Sequence, residues 1–210
     1  MGSKGEITRE KILSVAESII LQKGFSATSI EEIIQQSNIT KGGFFYHFSG
    51  KNDLASSLVQ RYLVQDDLFF NSLFERADSL SEDPLQQMLI FMKLLSEAMA
   101  DLPNGHPGCL VASFAYESMQ FEKEVLDLTA EGIISWRNLF LGRLENITSQ
   151  YPMNIEVSLT ELADMLTAVV EGGIVMSLVT KDPNVLVQQI LQYRIYLRLL
   201  FEAPTVSQIH

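Results

Sequence analysis

Apolar residues recur three and four positions apart along most of the chain, with polar residues between them. In the first such stretch, residues 8–23, this spacing places the apolar side chains on one face of an α-helix. They are Ile12, Val15, Ala16, Ile19 and Ile20. Gly24 follows the last turn, where glycine commonly ends a helix. The pattern predicts an all-α protein that begins with an amphipathic helix.

The next stretch, residues 28–48, predicts two short helices joined by a turn. Thr28 and Ser29 each have a glutamate three residues later, so either residue can cap the first of these helices. Its apolar stripe consists of Ile30, Ile33 and Ile34. Because the stripe ends after two turns, the helix is expected to be short.

The second short helix follows Asn38, a residue that tolerates the left-handed conformation of a turn. Thr40 can cap this helix, and Phe44 and Phe48 lie four residues apart, so they are expected to point inward. The outward face then consists of Lys41, Gly42, Phe45 and Tyr46. The two helices together predict a helix-turn-helix.

Two adjacent glycines, Gly42 and Gly43, are unusual in so short a helix, since each costs about 1 kcal/mol relative to alanine. Glycine allows close approach of another molecule, and a helix N-terminus with free N–H groups binds anions. Lys41 adds a cation, so DNA phosphate is the expected anion. The alternative is that the glycines only occupy a permissive first turn and that Phe45 and Tyr46 are core residues.

Residues 28–48, together with Gly50-Lys51-Asn52-Asp53-Leu54, resemble the DNA-binding signature of the TetR family of one-component transcriptional regulators. The specific part is Thr-Lys-Gly-x-x-x-Tyr-His-Phe, followed by a lysine three residues after the phenylalanine. The resemblance implies a three-helix DNA-binding head at residues 6–66, with the helix-turn-helix at about 29–48. It also implies a helical ligand-binding and dimerisation body at residues 67–210.

The resemblance also suggests roles for individual residues in DNA binding. The expected phosphate contacts are Thr28, Tyr46, His47 and Lys51, and the expected base-facing residues are Thr40, Lys41, Gly42 and Phe45. Ser29 and Gly43 complete the expected interface. The family usually has tyrosine where this chain has Phe45, so one phosphate-bonding hydroxyl is missing. Phe45 could instead pack on a sugar or a thymine methyl group.

Taken alone, the net charge of −11 at pH 7 is unfavourable for a DNA-binding protein. The charge is unevenly distributed, because residues 1–52 are net +1 whereas the remaining 158 residues are net −12. Exposed charges are screened over about 8 to 10 Å at physiological salt, so a distant acidic region opposes a local phosphate contact only weakly. The distribution disfavours indiscriminate nucleic-acid binding and favours specific docking of the N-terminal part.

The single cysteine, Cys109, excludes an internal disulfide and is typical of a reducing compartment. The N-terminus has no apolar stretch of the kind found in signal peptides, so a cytoplasmic protein is expected. The three histidines are His47, His106 and His210. With one cysteine they provide too few ligands for a tetrahedral metal site, so neither a metal nor a cofactor is expected.

After residue 51 the apolar periodicity predicts six more helices, giving about nine in all. Their predicted ranges are 51–77, 84–101, 109–117, 122–151, 158–180 and 183–202. The last two are joined by a short link and are expected to be antiparallel neighbours. Their apolar surface is too broad for one small body to cover, and Gly172 and Gly173 would allow close approach. We therefore predict a homodimer through these helices; a self-contained core is the alternative.

The body would bind a small apolar or aromatic ligand of unknown identity. Its candidate contacts are Met99, Cys109, Phe114, Tyr116, Trp136, Met165 and Glu171, with Glu117 and Arg137 as further polar anchors. Most of these are also compatible with an ordinary core. Cys109 is either a small buried residue or a thiol at a helix N-terminus that reacts with an electrophile or oxidant as the inducing event.

The sequence therefore predicts a ligand-responsive transcriptional regulator, and the resemblance implies a repressor that binds a palindromic operator. Two recognition helices would enter successive major grooves, roughly 34 to 36 Å apart. The rival hypothesis is a helical small-molecule-binding protein or enzyme in which the head is only a scaffold. Paired carboxylates, a metal cluster or a catalytic triad would favour an enzyme, and we find none of these in the sequence.

Overall fold

A computed structural model describes residues 4–202. Within that range the chain forms nine α-helices and no strand, which confirms the predicted all-α class. The helices are α1 Lys4–Lys23, α2 Ile30–Ser37, α3 Lys41–His47, α4 Lys51–Leu80, α5 Pro84–Ala100, α6 Leu110–Tyr116, α7 Lys123–Thr148, α8 Leu159–Thr180 and α9 Asn184–Phe201, with a 3-10 helix at Ser118–Gln120. The 3-10 helix was not predicted.

The chain divides into two compact units. Within the described residues, unit 1 contains residues 4–67 and 107–133, and unit 2 contains residues 68–106 and 134–202. Unit 1 therefore includes α6 and the start of α7, a segment that the predicted head at 6–66 did not contain. The last eight positions of the predicted body, which include His210, lie outside the described residues.

Unit 1 is built around the apolar stripe of α1. Phe44 and Phe48 from the second short helix and Leu54 and Leu58 from α4 are buried in the same cluster, as are Leu110, Phe114, Phe121 and Val125. The Arg61 guanidinium on α4 pairs with the carboxylate of Glu17 on α1 at 2.7 Å. The three N-terminal helices thus share one core with α4, α6 and the start of α7.

In unit 2, α9 packs against both α5 and α8. The hydroxyl of Tyr193 on α9 donates to the Leu162 carbonyl on α8 at 2.8 Å, and the Arg194 side chain donates to the Leu89 carbonyl on α5 at 2.8 Å. The antiparallel pairing predicted for the last two helices is therefore accompanied by a third partner, α5.

An aromatic cluster forms another part of unit 2. The rings of Phe74 and Phe91 are stacked with their centroids 3.8 Å apart, and Phe70 and Phe140 pack against them. The Arg143 guanidinium lies 4.3 Å from the Phe74 ring centroid and pairs with Asp78. The cluster joins α4, α5 and α7.

Among the described residues, α8 is long and apolar enough to meet the composition criterion for a membrane span, with a mean hydropathy of 1.7. About a third of its most apolar window is buried within the protein. Asp164 on this helix forms a bidentate ion pair with Arg137 of α7. Length and composition alone do not separate a membrane span from an apolar helix that packs against protein.

Candidate nucleic-acid interface

The helix-turn-helix forms as its capping residues predict. Of the two possible caps for α2 the structure uses Ser29, whose hydroxyl accepts a hydrogen bond from the Glu32 amide at 3.2 Å. Asn38 ends α2 in the left-handed conformation, with φ 51° and ψ 51°. The Thr40 hydroxyl caps α3 by accepting from the Gly43 amide at 3.0 Å. These local predictions are confirmed.

The two faces of α3 also lie as predicted. Phe44 and Phe48 are buried in the core of unit 1. On the opposite face Phe45 is 45% exposed and Tyr46 is 81% exposed, while Lys41 and Gly42 are exposed. This excludes the alternative in which Phe45 and Tyr46 are core residues, and it leaves a continuous outward surface on the helix.

Gly42 faces open space at the start of α3. A Cβ atom built on it would meet only the Thr40 hydroxyl, at 4.0 Å. At Gly43 the same atom would lie 3.2 Å from that hydroxyl, which is a tight contact. Gly43 therefore has a packing reason to be glycine, because Thr40 caps the helix over it. The internal packing of unit 1 gives no such reason for Gly42, so a close external partner remains the physical explanation.

Two predicted phosphate contacts have hydrogen-bond partners within the chain. The side chain of Thr28 is 1% exposed, and its hydroxyl donates to the Gly24 carbonyl at 2.7 Å. The Lys51 ammonium donates to the Phe25 carbonyl and lies 4.1 Å from the Phe25 ring centroid. Burial lowers the pKa of Lys51. Both polar groups therefore stabilise the chain itself, a role that spacing along the sequence does not reveal.

The remaining predicted DNA-binding side chains lie on or beside α3. Lys41 is exposed, with its ammonium 6.0 Å from the Phe45 ring centroid. His47 is half-buried and packs edge-on against the Tyr46 ring, with centroids 4.9 Å apart. Ser29 and Thr40 are exposed, although their hydroxyls accept the capping bonds. Ser29, Thr40 and Lys41 therefore lie at the N-termini of α2 and α3, whereas His47 is the last residue of α3.

Two predicted ligand contacts, Phe114 and Tyr116, also need correction. Phe114 is fully buried in unit 1 between Phe25 and Phe121, with ring centroids 5.5 and 4.4 Å away. Tyr116 is 81% exposed. The short α6 carries both, one on each face, so neither lines a cavity in the ligand-binding body. Aromatic residues are equally compatible with the lining of a ligand cavity. The sequence alone therefore does not separate a ligand contact from a core or surface residue.

The other predicted ligand contacts have varied surroundings. Met165 is exposed on α8, whereas Met99 and Glu171 are half-buried in unit 2. Trp136 is only 7% exposed, and its indole N–H has no hydrogen-bond partner among the described residues. A buried donor without a partner costs about 1 to 3 kcal/mol. Of these residues, Trp136 therefore retains the strongest physical reason to contact a ligand.

Cys109 is half-buried at the N-cap of α6, within unit 1. Its sulfur accepts a hydrogen bond from the Ala112 amide at 3.5 Å, and the Tyr62 side chain lies within hydrogen-bonding reach of it. The thiol is thus held at a helix N-terminus in the DNA-binding unit. Across residues 4–202 the structure has no cluster of three or more His, Cys, Asp or Glu side chains that could hold a metal ion.

Two family models match the chain. The model for bacterial regulatory proteins of the tetR family matches residues 12–58. The model for the C-terminal domain of LmrA/YxaF-like transcriptional regulators matches residues 84–190, which is about half of the chain. The first match contains the helix-turn-helix, and the second contains most of unit 2 together with α6 and the start of α7.

The chain resembles whole proteins of this kind along most of its length. It is 27% identical to YxaF of Bacillus subtilis, an uncharacterised HTH-type transcriptional regulator, over 87% of this chain and 90% of that one. It is also 27% identical to LmrA of B. subtilis, over 83% and 88%. A probable acrEF/envCD operon repressor of Escherichia coli is 26% identical over 60% of this chain and 54% of that one.

The fold matches that of a TetR-family regulator from Agrobacterium tumefaciens with a TM-score of 0.77 and 21% identity, covering 94% of this chain and all of that one. Reduced NemR of E. coli matches with a TM-score of 0.74 and 18% identity, covering 95% and 99%. Both family models, the relatives and the fold indicate the same family. The chain belongs to the TetR family of transcriptional regulators, within its LmrA/YxaF-like group.

Proposed function

We propose that the protein is a repressor that binds a palindromic operator as a homodimer and is released by a small-molecule inducer. The exposed face of α3 carries this proposal. It combines a glycine that faces open space, an exposed lysine and two exposed aromatic rings on one short helix. The likeness to a probable operon repressor of E. coli supports repression rather than activation.

The proposed DNA contacts follow from the positions of the side chains. In this proposal Ser29, Tyr46 and His47 contact phosphate, whereas Thr40, Lys41, Gly42 and Phe45 face the bases. Gly42 would let the α3 backbone approach the duplex closely. Thr28 and Lys51 support this surface from within, because their polar groups hold the segment between α1 and α2. The proposed contact set is thus confined to α3 and the start of α2.

The proposed dimer forms through the exposed apolar surface of α8 and α9. Val179 is 78% exposed. Other large apolar side chains exposed on these helices are Met165, Val175, Met176, Leu178, Ile195 and Leu199. Several large exposed apolar side chains on two neighbouring helices favour a protein–protein interface there. We assign its occupant as a second copy, because a palindromic operator requires two-fold symmetry.

The two glycines of α8 have different roles in this arrangement. A Cβ atom on Gly173 would lie 2.9 Å from a methyl group of Leu186 and 3.2 Å from its Cα, so Gly173 permits α9 to pack closely within the chain. At Gly172 a Cβ atom would meet nothing within 4 Å. Only Gly172 is therefore open to a partner helix.

The proposed inducer binds in unit 2 and is apolar or aromatic. The unpartnered indole N–H of Trp136 favours a ligand that also carries a hydrogen-bond acceptor, since such a ligand would satisfy the buried donor. Trp136 is the single tryptophan of the chain, so its fluorescence reports directly on ligand binding. Trp136→Phe keeps an aromatic ring and removes the donor, and it should weaken binding of an acceptor-bearing ligand.

Reaction of Cys109 with an electrophile is a second candidate for the inducing event. It is favoured by the position of the thiol at the α6 N-cap, within the unit that carries the helix-turn-helix. Cys109→Ser should then abolish the response to the electrophile while operator binding is retained. If the variant responds as the wild type does, Cys109 is only a packing residue.

A gel shift with the DNA upstream of the protein's own gene tests the proposed repressor function. A shift of this fragment at low salt that unrelated DNA of the same length competes only weakly supports specific operator binding. Equal competition by unrelated DNA would contradict it. The proposal places the protein in the cytoplasm, where the chromosome of a bacterium is accessible and Cys109 remains reduced.

A further inference from the structure

The chain just after α6 contacts the turn that precedes the helix-turn-helix. The carboxylate of Glu117 accepts hydrogen bonds from the backbone amides of Phe25 and Ser26 at 2.6 and 2.8 Å. The Ser26 hydroxyl donates a third hydrogen bond to the same carboxylate. Three donors from one turn therefore converge on one side chain that lies about ninety residues further along the sequence.

Gly24 and Phe25 shape the turn around this carboxylate. Gly24 has φ +86°, and a Cβ atom there would lie 2.7 Å from a carboxylate oxygen of Glu117. The Phe25 ring packs against Phe121 and Phe114, with centroids 4.4 and 5.5 Å away. The turn is thus held by hydrogen bonds to its amides and by aromatic packing of its side chain.

The carboxylate of Glu117 is charged at neutral pH. Partial burial acts to raise the pKa of Glu117, but the hydrogen bonds from Ser26 and Phe25 and the nearby Lys51 ammonium outweigh it and lower the pKa. Hydrogen bonds from amides and a hydroxyl to a charged carboxylate are stronger than those between neutral groups. The contact is therefore strong enough to restrict the conformation of a short turn.

This turn leads directly into the proposed DNA-binding helices. The Thr28 amide donates to the Phe25 carbonyl at 3.1 Å, and the next residue, Ser29, caps α2. Lys51, the first residue of α4, donates to the same Phe25 carbonyl. A change in the conformation of residues 25 and 26 therefore alters the starts of both α2 and α4.

We propose that Glu117 is a positioning residue for DNA recognition, which holds the turn between α1 and α2 in the conformation that presents the helix-turn-helix to the operator. The inference rests on the proposed function, because it assumes that this unit binds DNA. Glu117 lies outside the sequence signature and beyond the proposed DNA contacts. Its effect on affinity is exerted through Phe25 and Ser26.

Electrostatics alone predicts the opposite effect of removing this charge. Replacing a glutamate in a DNA-binding unit reduces repulsion of phosphate and should strengthen binding. Positioning instead predicts weaker binding, because the variant must order the turn when it binds DNA. Glu124 provides the matched control. It is an exposed glutamate at the start of α7 in the same unit, and Glu124→Gln changes the charge equally.

The experiment measures operator binding of the wild type, Glu117→Gln and Glu124→Gln by fluorescence anisotropy over a series of salt concentrations. Binding is compared at a temperature at which circular dichroism shows all three proteins folded. Glu117→Gln should bind about tenfold more weakly at every salt concentration, with an unchanged salt slope, since no phosphate contact is lost. Glu124→Gln should bind as tightly as the wild type, or more tightly.

Ser26→Ala, combined with Glu117→Gln, supplies a second test. If Ser26 acts through Glu117, the losses of affinity in the two single variants should not add in the double variant. Hydrogen exchange should also be faster at the Phe25 and Ser26 amides in Glu117→Gln. Unchanged hydrogen exchange at these two amides, or an affinity equal to that of the wild type, would overturn the role of Glu117 and leave the proposed function intact. A wild-type protein that bound no operator fragment would overturn the proposed function as well.

Discussion

The Lys51 ammonium donates a hydrogen bond to the Phe25 carbonyl at 2.5 Å and lies over the ring of the same residue. This lysine lies at the signature position where a phosphate contact is expected, yet it is half-buried and its ammonium is engaged within unit 1. Lys41, by contrast, is exposed at the start of α3. The two lysines should therefore differ in their effect on DNA binding.

We predict that Lys41→Ala weakens operator binding and reduces the salt slope by about one unit. The reason is that the variant loses one cation that contacts the DNA, at a phosphate or at a base edge. Lys51→Ala should instead lower the midpoint of thermal unfolding and leave the salt slope unchanged. Salt-dependent anisotropy titrations and circular dichroism melts measure the two effects. A slope reduced by Lys51→Ala but not by Lys41→Ala would reverse these assignments.

Gly42→Ala should leave folding intact and weaken DNA binding. A Cβ atom at Gly42 has room within the protein, and alanine favours a helix over glycine by about 1 kcal/mol, so the unfolding midpoint should stay the same or rise. Against DNA the added methyl group would prevent close approach of the backbone, and we expect a loss of affinity of about tenfold or more.

Gly43→Ala is the matched comparison for Gly42→Ala. Its Cβ atom would press on the Thr40 hydroxyl at 3.2 Å, so this substitution should disturb the helix cap and lower the unfolding midpoint. If Gly42→Ala bound the operator as tightly as the wild type, the proposed close approach of α3 to DNA would be wrong.

A charged residue on the α8–α9 surface should dissociate the dimer. Val179→Asp or Leu199→Asp would bury a carboxylate in an apolar interface, which is unfavourable unless the charge is paired. We expect sedimentation velocity to show monomers at concentrations at which the wild type is a dimer. Ile155→Asp, at an exposed isoleucine outside these helices, should remain dimeric. Dimeric Val179→Asp and Leu199→Asp variants would place the interface elsewhere.

The stability of unit 1 should depend on pH through Asp66. Burial, with the neighbouring charges of Asp67 and Glu17, raises the pKa of Asp66 to about 7. The folded state therefore retains a proton that the unfolded chain loses near pH 4. The stabilising effect of that proton is complete below the unfolded pKa and is lost as the pH rises towards 7.

Asp66→Asn mimics the protonated side chain at every pH. Its unfolding midpoint should exceed that of the wild type by several degrees at pH 8, and the difference should shrink towards pH 5, since each kcal/mol corresponds to about 2 to 4 °C in a chain of this size. Glu75→Gln, at an exposed position on the same helix, should show no such pH dependence. A constant difference for Asp66→Asn would contradict the raised pKa.

Local features of the fold could be predicted from the sequence because each depends on a few neighbouring residues. The caps at Ser29 and Thr40, the left-handed Asn38 and the inward Phe44 and Phe48 are of this kind. The helix ranges were predicted to within a few residues for the same reason, since apolar periodicity is a local signal.

Features that depend on contacts between distant segments were not predicted. Phe114 and Glu117 fit ligand contacts by sequence, but both contact the turn at Phe25, about ninety residues away. Thr28 and Lys51 likewise donate to backbone carbonyls of this turn, those of Gly24 and Phe25. A polar or aromatic side chain fits a core, a cap or a ligand site equally well until its partners are known.

The most direct test of the central claim is to incubate the purified protein with fragmented genomic DNA of its host at low salt, then recover and sequence what it retains. The account predicts enrichment of a few fragments that share an inverted repeat, with half-sites about one helical turn apart, and loss of that enrichment in Gly42→Ala. Retention of no fragments, or of fragments without a shared repeat, would contradict it.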